Sequence, residues 1–167
     1  REKDPLKAAR DMFLDKAEKV NDESSLYSHA AAGVPGSVDG MIQAHQKYGK
    51  LAFHDVIQPA IDMAYKGFEI TGHQAEELNK NNADFMRLNK VKTSFVKDKG
   101  EWKNGDLLVQ AELAHTLELI RDHGRDGFYT GETANKIVVE MKRGNGIISL
   151  EDLAAYQSVW REPVTDT

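Results

Sequence analysis

The sequence predicts a mainly α-helical protein, and three observations lead to that fold class. Apolar residues recur every three or four positions in several separate stretches, as they do on one face of an amphipathic helix. Gly or Gly-Asn-Gly follows most of these stretches, where a helix would end. Only one short segment has the residues of a β-strand. An apolar fraction of 40% and a charged fraction of 29% are those of an ordinary globular protein.

The first predicted helix follows a turn at residues 33–37. Its apolar face consists of Val38, Met41, Ile42 and His45, and Gly49 is expected to close it in the left-handed conformation. A second helix has Val56, Ile57, Ala60, Ile61 and Ala64 on one face, with Pro59 expected near its first turn and Gly67 at its end. Thr71 is expected to cap a short third helix. Residues 79–99 are polar and lack a clear period, which predicts a long surface excursion.

The C-terminal half has the strongest helical periodicity. A helix from Asp106 to Gly124 is expected to bury Val109, Leu113, Leu117 and Ile120. The next helix groups Ala134, Ile137, Val138 and Met141 and ends at Gly144-Asn145-Gly146. Ser149-Leu150-Glu151-Asp152 is typical of a capping box that opens a last helix. Residues 157–164 are the predicted strand.

Composition excludes several classes of function. The net charge is −5 with the signs interleaved, and without a basic run a nucleic-acid partner is not expected. The absence of cysteine excludes disulfides and thiolate sites. The sequence contains no run of about 18 apolar residues, so it predicts no membrane span. The chain opens on Arg1 without an initiator Met and closes on Val164-Thr165-Asp166-Thr167, so we expect residues 1–167 to be a single helical segment of a larger protein.

The residues themselves nominate little chemistry. The six histidines have no His-x-x-x-His spacing, which argues against a metal site, and His45 is expected to be a core residue. Gly33-Val34-Pro35-Gly36 lacks the Gly-x-Gly-x-x-Gly spacing and is expected to be a turn rather than a phosphate loop. No Gly-x-Ser-x-Gly or Ser-x-x-Lys motif supplies a serine nucleophile. Arg1-Glu2 stands out, because an arginine fork can grip a carboxylate with two hydrogen bonds.

Six segments, in order along the chain, resemble the large subunit of the γ-glutamyltranspeptidases. They are Arg1-Glu2-Lys3-Asp4-Pro5 with Arg10-Asp11-Met12-Phe13-Leu14-Asp15, Gly33-Val34-Pro35-Gly36-Ser37-Val38, Val56-Ile57-Gln58-Pro59-Ala60 with Gly67-Phe68, Gly105-Asp106-Leu107-Leu108-Val109-Gln110, Phe128-Tyr129-Thr130-Gly131 and Glu151-Asp152-Leu153-Ala154-Ala155-Tyr156. Asp4 departs from the alanine that the family has there. No single motif is decisive, but the order of all six is specific.

The resemblance implies part of an α/β/β/α N-terminal nucleophile hydrolase. In this family a precursor cuts itself, and the new N-terminal threonine of the small subunit attacks the γ-glutamyl amide with its own α-amine as the adjacent base. The glutamyl group of glutathione or a related amide then passes to water or to an amino acid, without a cofactor. None of the threonines here lies in a Thr-Thr pair, so the chain is expected to contain no catalytic residue and to be inactive without the small subunit.

The resemblance also assigns one binding site and a compartment. Arg1 matches the arginine that grips the α-carboxylate of the γ-glutamyl group, and Glu2 matches the acidic residue beside it, which is expected to orient that arginine. The family is typically periplasmic or secreted. Two alternatives stay open: a cephalosporin or glutaryl acylase of the same fold, and a free-standing helical binding module that recognises a partner through its apolar faces.

Overall fold

The computed structural model describes residues 2–89 and 91–165, and these are mainly helical, as predicted. The chain divides into two compact units. The first unit contains the residues up to Lys50 and those from His123 onward, and the second runs from Leu51 to Asp122. None of the helices that these described residues form has both the length and the apolarity needed to cross a bilayer.

The first unit is built around one apolar cluster. Its helices are α1 (Asp22–Tyr27), α2 (Ser37–Tyr48), α7 (Asp126–Tyr129), α8 (Gly131–Arg143) and α9 (Leu150–Ala155), with a 3₁₀ turn at His29–Ala31. The buried cluster consists of Val34, Tyr129, Ala134, Val138, Ile148, Leu153 and Tyr156. Residues far apart in the sequence therefore share this core, because burying apolar area is favourable whatever the separation along the chain.

The second unit combines four helices with a short antiparallel pair of strands. Its elements are α3 (Phe53–Lys66), β1 (Phe68–Glu69), α4 (Gly72–Lys80), α5 (Asn82–Leu88), β2 (Leu107–Leu108) and α6 (Ala111–His123). In the strand pair, Phe68 lies opposite Leu108. One apolar cluster contains Ile70, Ala75, Trp102 and Leu108, and another contains Ile61, Ala64 and Ala114.

The predicted caps of two helices are confirmed. The Thr71 hydroxyl accepts from the Gln74 N–H at 3.2 Å, and the Gln74 side chain accepts from the Thr71 N–H at 2.8 Å. The same reciprocal pair joins Ser149 and Asp152 at the start of α9. Each pair satisfies N–H groups that have no partner inside the helix. The helix ends expected at Gly67, Gly124 and Gly144 are also confirmed.

Several local predictions were wrong. Gly49 has a φ of −64° rather than a left-handed value; glycine is required because a Cβ there would lie 2.5 Å from the His45 carbonyl oxygen. Pro59 lies in the interior of α3 and not in its first turn. Residues 157–164 form no strand, although all of them are described.

Two further predictions were wrong: the surface excursion at residues 79–99 and the helix expected from Asp106. The expected surface excursion contains the end of α4 and all of α5. Residues Leu107–Leu108 are β2, so the helix starts only at Ala111, and it buries Ala114 and Ile120 while Val109 and Leu113 are exposed. When a neighbouring element packs close to a half-exposed helix, the helix can bury a small residue instead of an adjacent leucine. The periodicity of apolar residues alone does not show which of these two residues is buried.

Candidate functional site

The predicted substrate-binding pair falls at the start of the described chain. Arg1 lies outside the described residues. Glu2 is exposed, and the next residue, Lys3, pairs in antiparallel fashion with Val34 through two backbone hydrogen bonds of 3.1 and 2.8 Å. A Cβ on Gly33 would lie 3.0 Å from Cβ and Cγ of Glu2, so glycine lets the two backbones approach. The predicted turn at residues 33–37 therefore has Glu2 beside its first residue, Gly33.

Glu2 lines a cavity of about 530 Å³ in the first unit. The other walls are one face of α2 and the segment that follows α9. The full lining is Glu2, Lys3, Gly40, Gln43, Ala44, Tyr156, Gln157, Ser158, Val159, Trp160 and Arg161. A volume of this size is typical of pockets that bind small molecules. The charged groups of the lining are Glu2, Lys3 and Arg161, so the cavity can bind and orient a polar, charged molecule.

A buried carboxylate lies behind this cavity. Asp39 in α2 is only 3% exposed. Its Oδ2 accepts hydrogen bonds from the Ser158 N–H at 2.6 Å and from Gln43 Nε2 at 2.8 Å. Its Oδ1 lies 3.3 Å from Nε of Arg125. A buried charge with these partners is fully compensated, as a buried carboxylate must be.

Tyr129 caps α2 from a distant part of the chain. Gly36, at the start of α2, has no side chain with which to cap the helix. The Tyr129 hydroxyl accepts from the Asp39 N–H at 3.3 Å and donates to the Pro35 carbonyl at 2.8 Å. Burial is the main cause that raises the pKa of Tyr129, because the charged phenolate is poorly solvated there. The hydroxyl therefore stays protonated at neutral pH and can make both bonds.

Arg125 joins this network to the chain that leaves α9. It donates hydrogen bonds to the carbonyl oxygens of Ala154 and Tyr156, at 2.8 and 2.5 Å. Its guanidinium lies 4.8 Å from the centre of the Tyr129 ring. Arg125 thus binds residues 154 and 156, and its ion-pair partner Asp39 binds residue 158. Together the two side chains hold residues 154–158 against α2.

A second charged cluster of the first unit lies away from the cavity. The carboxylate of Glu140 in α8 accepts from Arg143 Nε at 2.8 Å and lies 2.6 Å from Nε2 of His29. Neither the arginine nor the histidine lines the cavity. Hydrogen bonds from Arg143, and then from His29, hold the pKa of Glu140 below its ordinary value.

The histidines do not assemble into a metal site in the part of the chain that the structure describes. No three His, Asp or Glu side chains among residues 2–89 and 91–165 lie close enough to share a metal ion. His45 is half-buried on α2, rather than in the core as expected. Sequence reasoning missed Asp39, Arg125 and Tyr129. The only signal for Asp39 was its place in the first turn of a helix, where an exposed aspartate is equally common.

Comparisons with known proteins find one family along the whole chain. A family model described as Gamma-glutamyltranspeptidase matches residues 1–167. The glutathione hydrolase proenzyme of Escherichia coli is 42% identical over 166 residues, which cover 99% of this chain and 29% of the relative. The chain thus spans less than a third of the length of that relative.

Solved structures of the same family also match this chain. The crystal structure of Helicobacter pylori γ-glutamyltranspeptidase matches with a TM-score of 0.90 and 41% identity, over 98% of this chain and 47% of the other. A cephalosporin acylase from Bacillus halodurans matches with a TM-score of 0.81 over 99% of this chain and 32% of its own. Because that acylase is only 20% identical, the match shows a shared fold alone.

Proposed function

Because the chain belongs to the γ-glutamyltranspeptidase family, we propose that the protein containing it hydrolyses or transfers the γ-glutamyl group of glutathione and related γ-glutamyl amides. The observation that carries this proposal is the family match over residues 1–167, together with a cavity at Glu2, beside the residue that the resemblance assigns to substrate binding. In this proposal the nucleophile is the N-terminal threonine of a small subunit cut from the same precursor. Residues 1–167 are then one segment of the large subunit, and the protein is periplasmic or secreted.

Within this site Arg1 binds the α-carboxylate of the γ-glutamyl group. A guanidinium fork matches the two carboxylate oxygens and stays charged at any physiological pH. Glu2 orients that arginine, and it is held in place by Gly33 and by the pairing of Lys3 with Val34. The cavity next to Glu2 accepts the rest of the donor. These groups bind the substrate away from the reacting amide, so their contribution is to affinity and orientation.

The test is hydrolysis of γ-glutamyl-p-nitroanilide by the full-length protein, comparing wild type with Arg1→Ala. We expect the variant to raise KM by about a hundredfold, the effect of losing a charge-assisted pair of hydrogen bonds. Arg10→Ala is the matched control, because Arg10 is exposed and does not line the cavity. We expect its KM to stay at the wild-type value.

Three other results would correct the proposal. An active protein in which Arg1→Ala has the wild-type KM keeps the activity but overturns the assignment of the site. A full-length protein that cuts itself yet hydrolyses only a glutaryl anilide points to the acylase alternative. Residues 1–167 expressed alone should release no product, and any turnover by them would contradict a nucleophile in the small subunit.

A further inference from the structure

One wall of the cavity beside Glu2 depends on side chains for its position. Residues 157–161 form this wall, and they belong to no helix or strand. Among the described residues, no backbone–backbone hydrogen bond holds the chain after Tyr156. A segment of this kind is free to move unless side chains fix it.

Two groups of side-chain contacts fix this segment. Trp160 packs edge-on against Tyr48, with ring centroids 5.8 Å apart, and its ring centre lies 4.1 Å from Nζ of Lys47. Ser158 is fixed by Asp39. Its carboxylate accepts the Ser158 N–H at 2.6 Å, and Gln43 bridges the same place by donating to Asp39 at 2.8 Å and to the Ser158 carbonyl at 3.4 Å. Both Gln43 and Ser158 line the cavity, whereas Asp39 does not. Asp39 therefore acts on the cavity through its neighbours.

The Asp39 charge also keeps the start of the wall in place. Arg125 lies 3.3 Å from Asp39 and donates to the Tyr156 carbonyl at 2.5 Å. If Asp39 is replaced by a neutral residue, Arg125 loses its buried charge partner and keeps only the exposed Asp126, whose Oδ1 lies 3.8 Å from Nη1 of Arg125, which is unfavourable. The Ser158 N–H would at the same time exchange a charged acceptor for a weaker neutral one.

We propose that Asp39 is a positioning residue of the substrate site, which holds residues 157–161 as the wall of the γ-glutamyl donor cavity. This role rests on the proposed function. Because the wall touches the part of the donor that does not react, it binds the ground state and the transition state alike. Loss of the wall should consequently raise KM and leave kcat nearly unchanged.

The experiment uses the full-length protein with Asp39→Asn, which keeps the shape of the side chain and removes its charge. We expect KM for γ-glutamyl-p-nitroanilide to rise about tenfold with kcat within about twofold, the pattern of lost uniform binding. Hydrogen exchange of the Ser158 amide should become faster by about tenfold as well. Glu140→Gln is the control, since it neutralises a carboxylate of the same unit that does not line the cavity; its KM and the exchange of Ser158 should match wild type.

The outcomes separate this role from the proposed function. Faster exchange at Ser158 with an unchanged KM would show that the wall moves without affecting the substrate, and would overturn the proposal. A wild-type exchange rate in Asp39→Asn would overturn it too. A wild type without γ-glutamyl activity would refute the proposed function, and the substrate role with it, even if exchange at Ser158 responds. If Asp39→Asn does not fold, Arg125→Lys replaces it, with an expected rise in KM of about threefold from lost contacts to Tyr156.

Discussion

The hydroxyl of Tyr129 should contribute roughly 2 kcal/mol to the stability of the protein, although it is one oxygen atom. In Tyr129→Phe the ring keeps its parallel stack on Tyr156, with centroids 5.5 Å apart, so the loss is confined to the hydroxyl. The Asp39 N–H in the first turn of α2 loses its cap, which costs about 1 kcal/mol. The Pro35 carbonyl loses its donor, which costs about 1 kcal/mol more.

Urea denaturation followed by far-ultraviolet circular dichroism measures this difference. With an m-value of about 2 kcal/mol/M, the midpoint of Tyr129→Phe should fall by about 1 M. Tyr48→Phe is the matched control, because Tyr48 in the same unit is 65% exposed and its variant should stay within about 0.5 kcal/mol of wild type. If Tyr129→Phe is as stable as the control, the hydroxyl does not cap α2 and the reasoning is refuted.

Two further predictions concern the 3₁₀ turn and its contact with α8. Gly144→Ala should destabilise the protein by about 2 kcal/mol, because its Cβ would lie 2.1 Å from Cγ of the His29 ring; Gly72→Ala, whose Cβ has no neighbour closer than 3.9 Å, should be nearly neutral in the same denaturation assay. Because hydrogen bonds from Arg143 and His29 lower the pKa of Glu140, its ionised form stabilises the fold above about pH 4.3, the ordinary glutamate value, and this contribution is lost as the pH falls through the lowered pKa. In acid titrations wild type should therefore lose stability more steeply than Glu140→Gln below about pH 4.3, and parallel curves would contradict the role of this carboxylate.

Much of the helical structure could be predicted because its causes are local. The Thr71 and Ser149 caps lie within four residues of their partners, and the positive φ of Gly67 and Gly124 places them at helix ends. The errors at residues 106–120 came from contacts that are not local. Strand β2 forms only because β1 lies beside it, and Ala114 is buried because of what packs against it.

The candidate site was predictable only in part. Arg1 and Glu2 were predicted through resemblance to a family, since a pair near the start of a chain has no distinguishing pattern of its own. Asp39 looked like one more acidic residue in the first turn of a helix. Its partners Arg125 and Ser158 lie 86 and 119 positions away in the sequence. No local pattern could therefore indicate these partners or the burial of Asp39.

The sequence by itself determined the helical class, several helix ends and the family, because these depend on short-range periodicity, capping and the order of motifs. Only the tertiary structure decided that Tyr129 caps α2, that Asp39 is paired with Arg125, and that residues 157–161 form a cavity wall rather than a strand. The physical reason is desolvation. A buried carboxylate or hydroxyl must find hydrogen-bond partners wherever the fold brings them, and distance along the chain does not limit which residues these are.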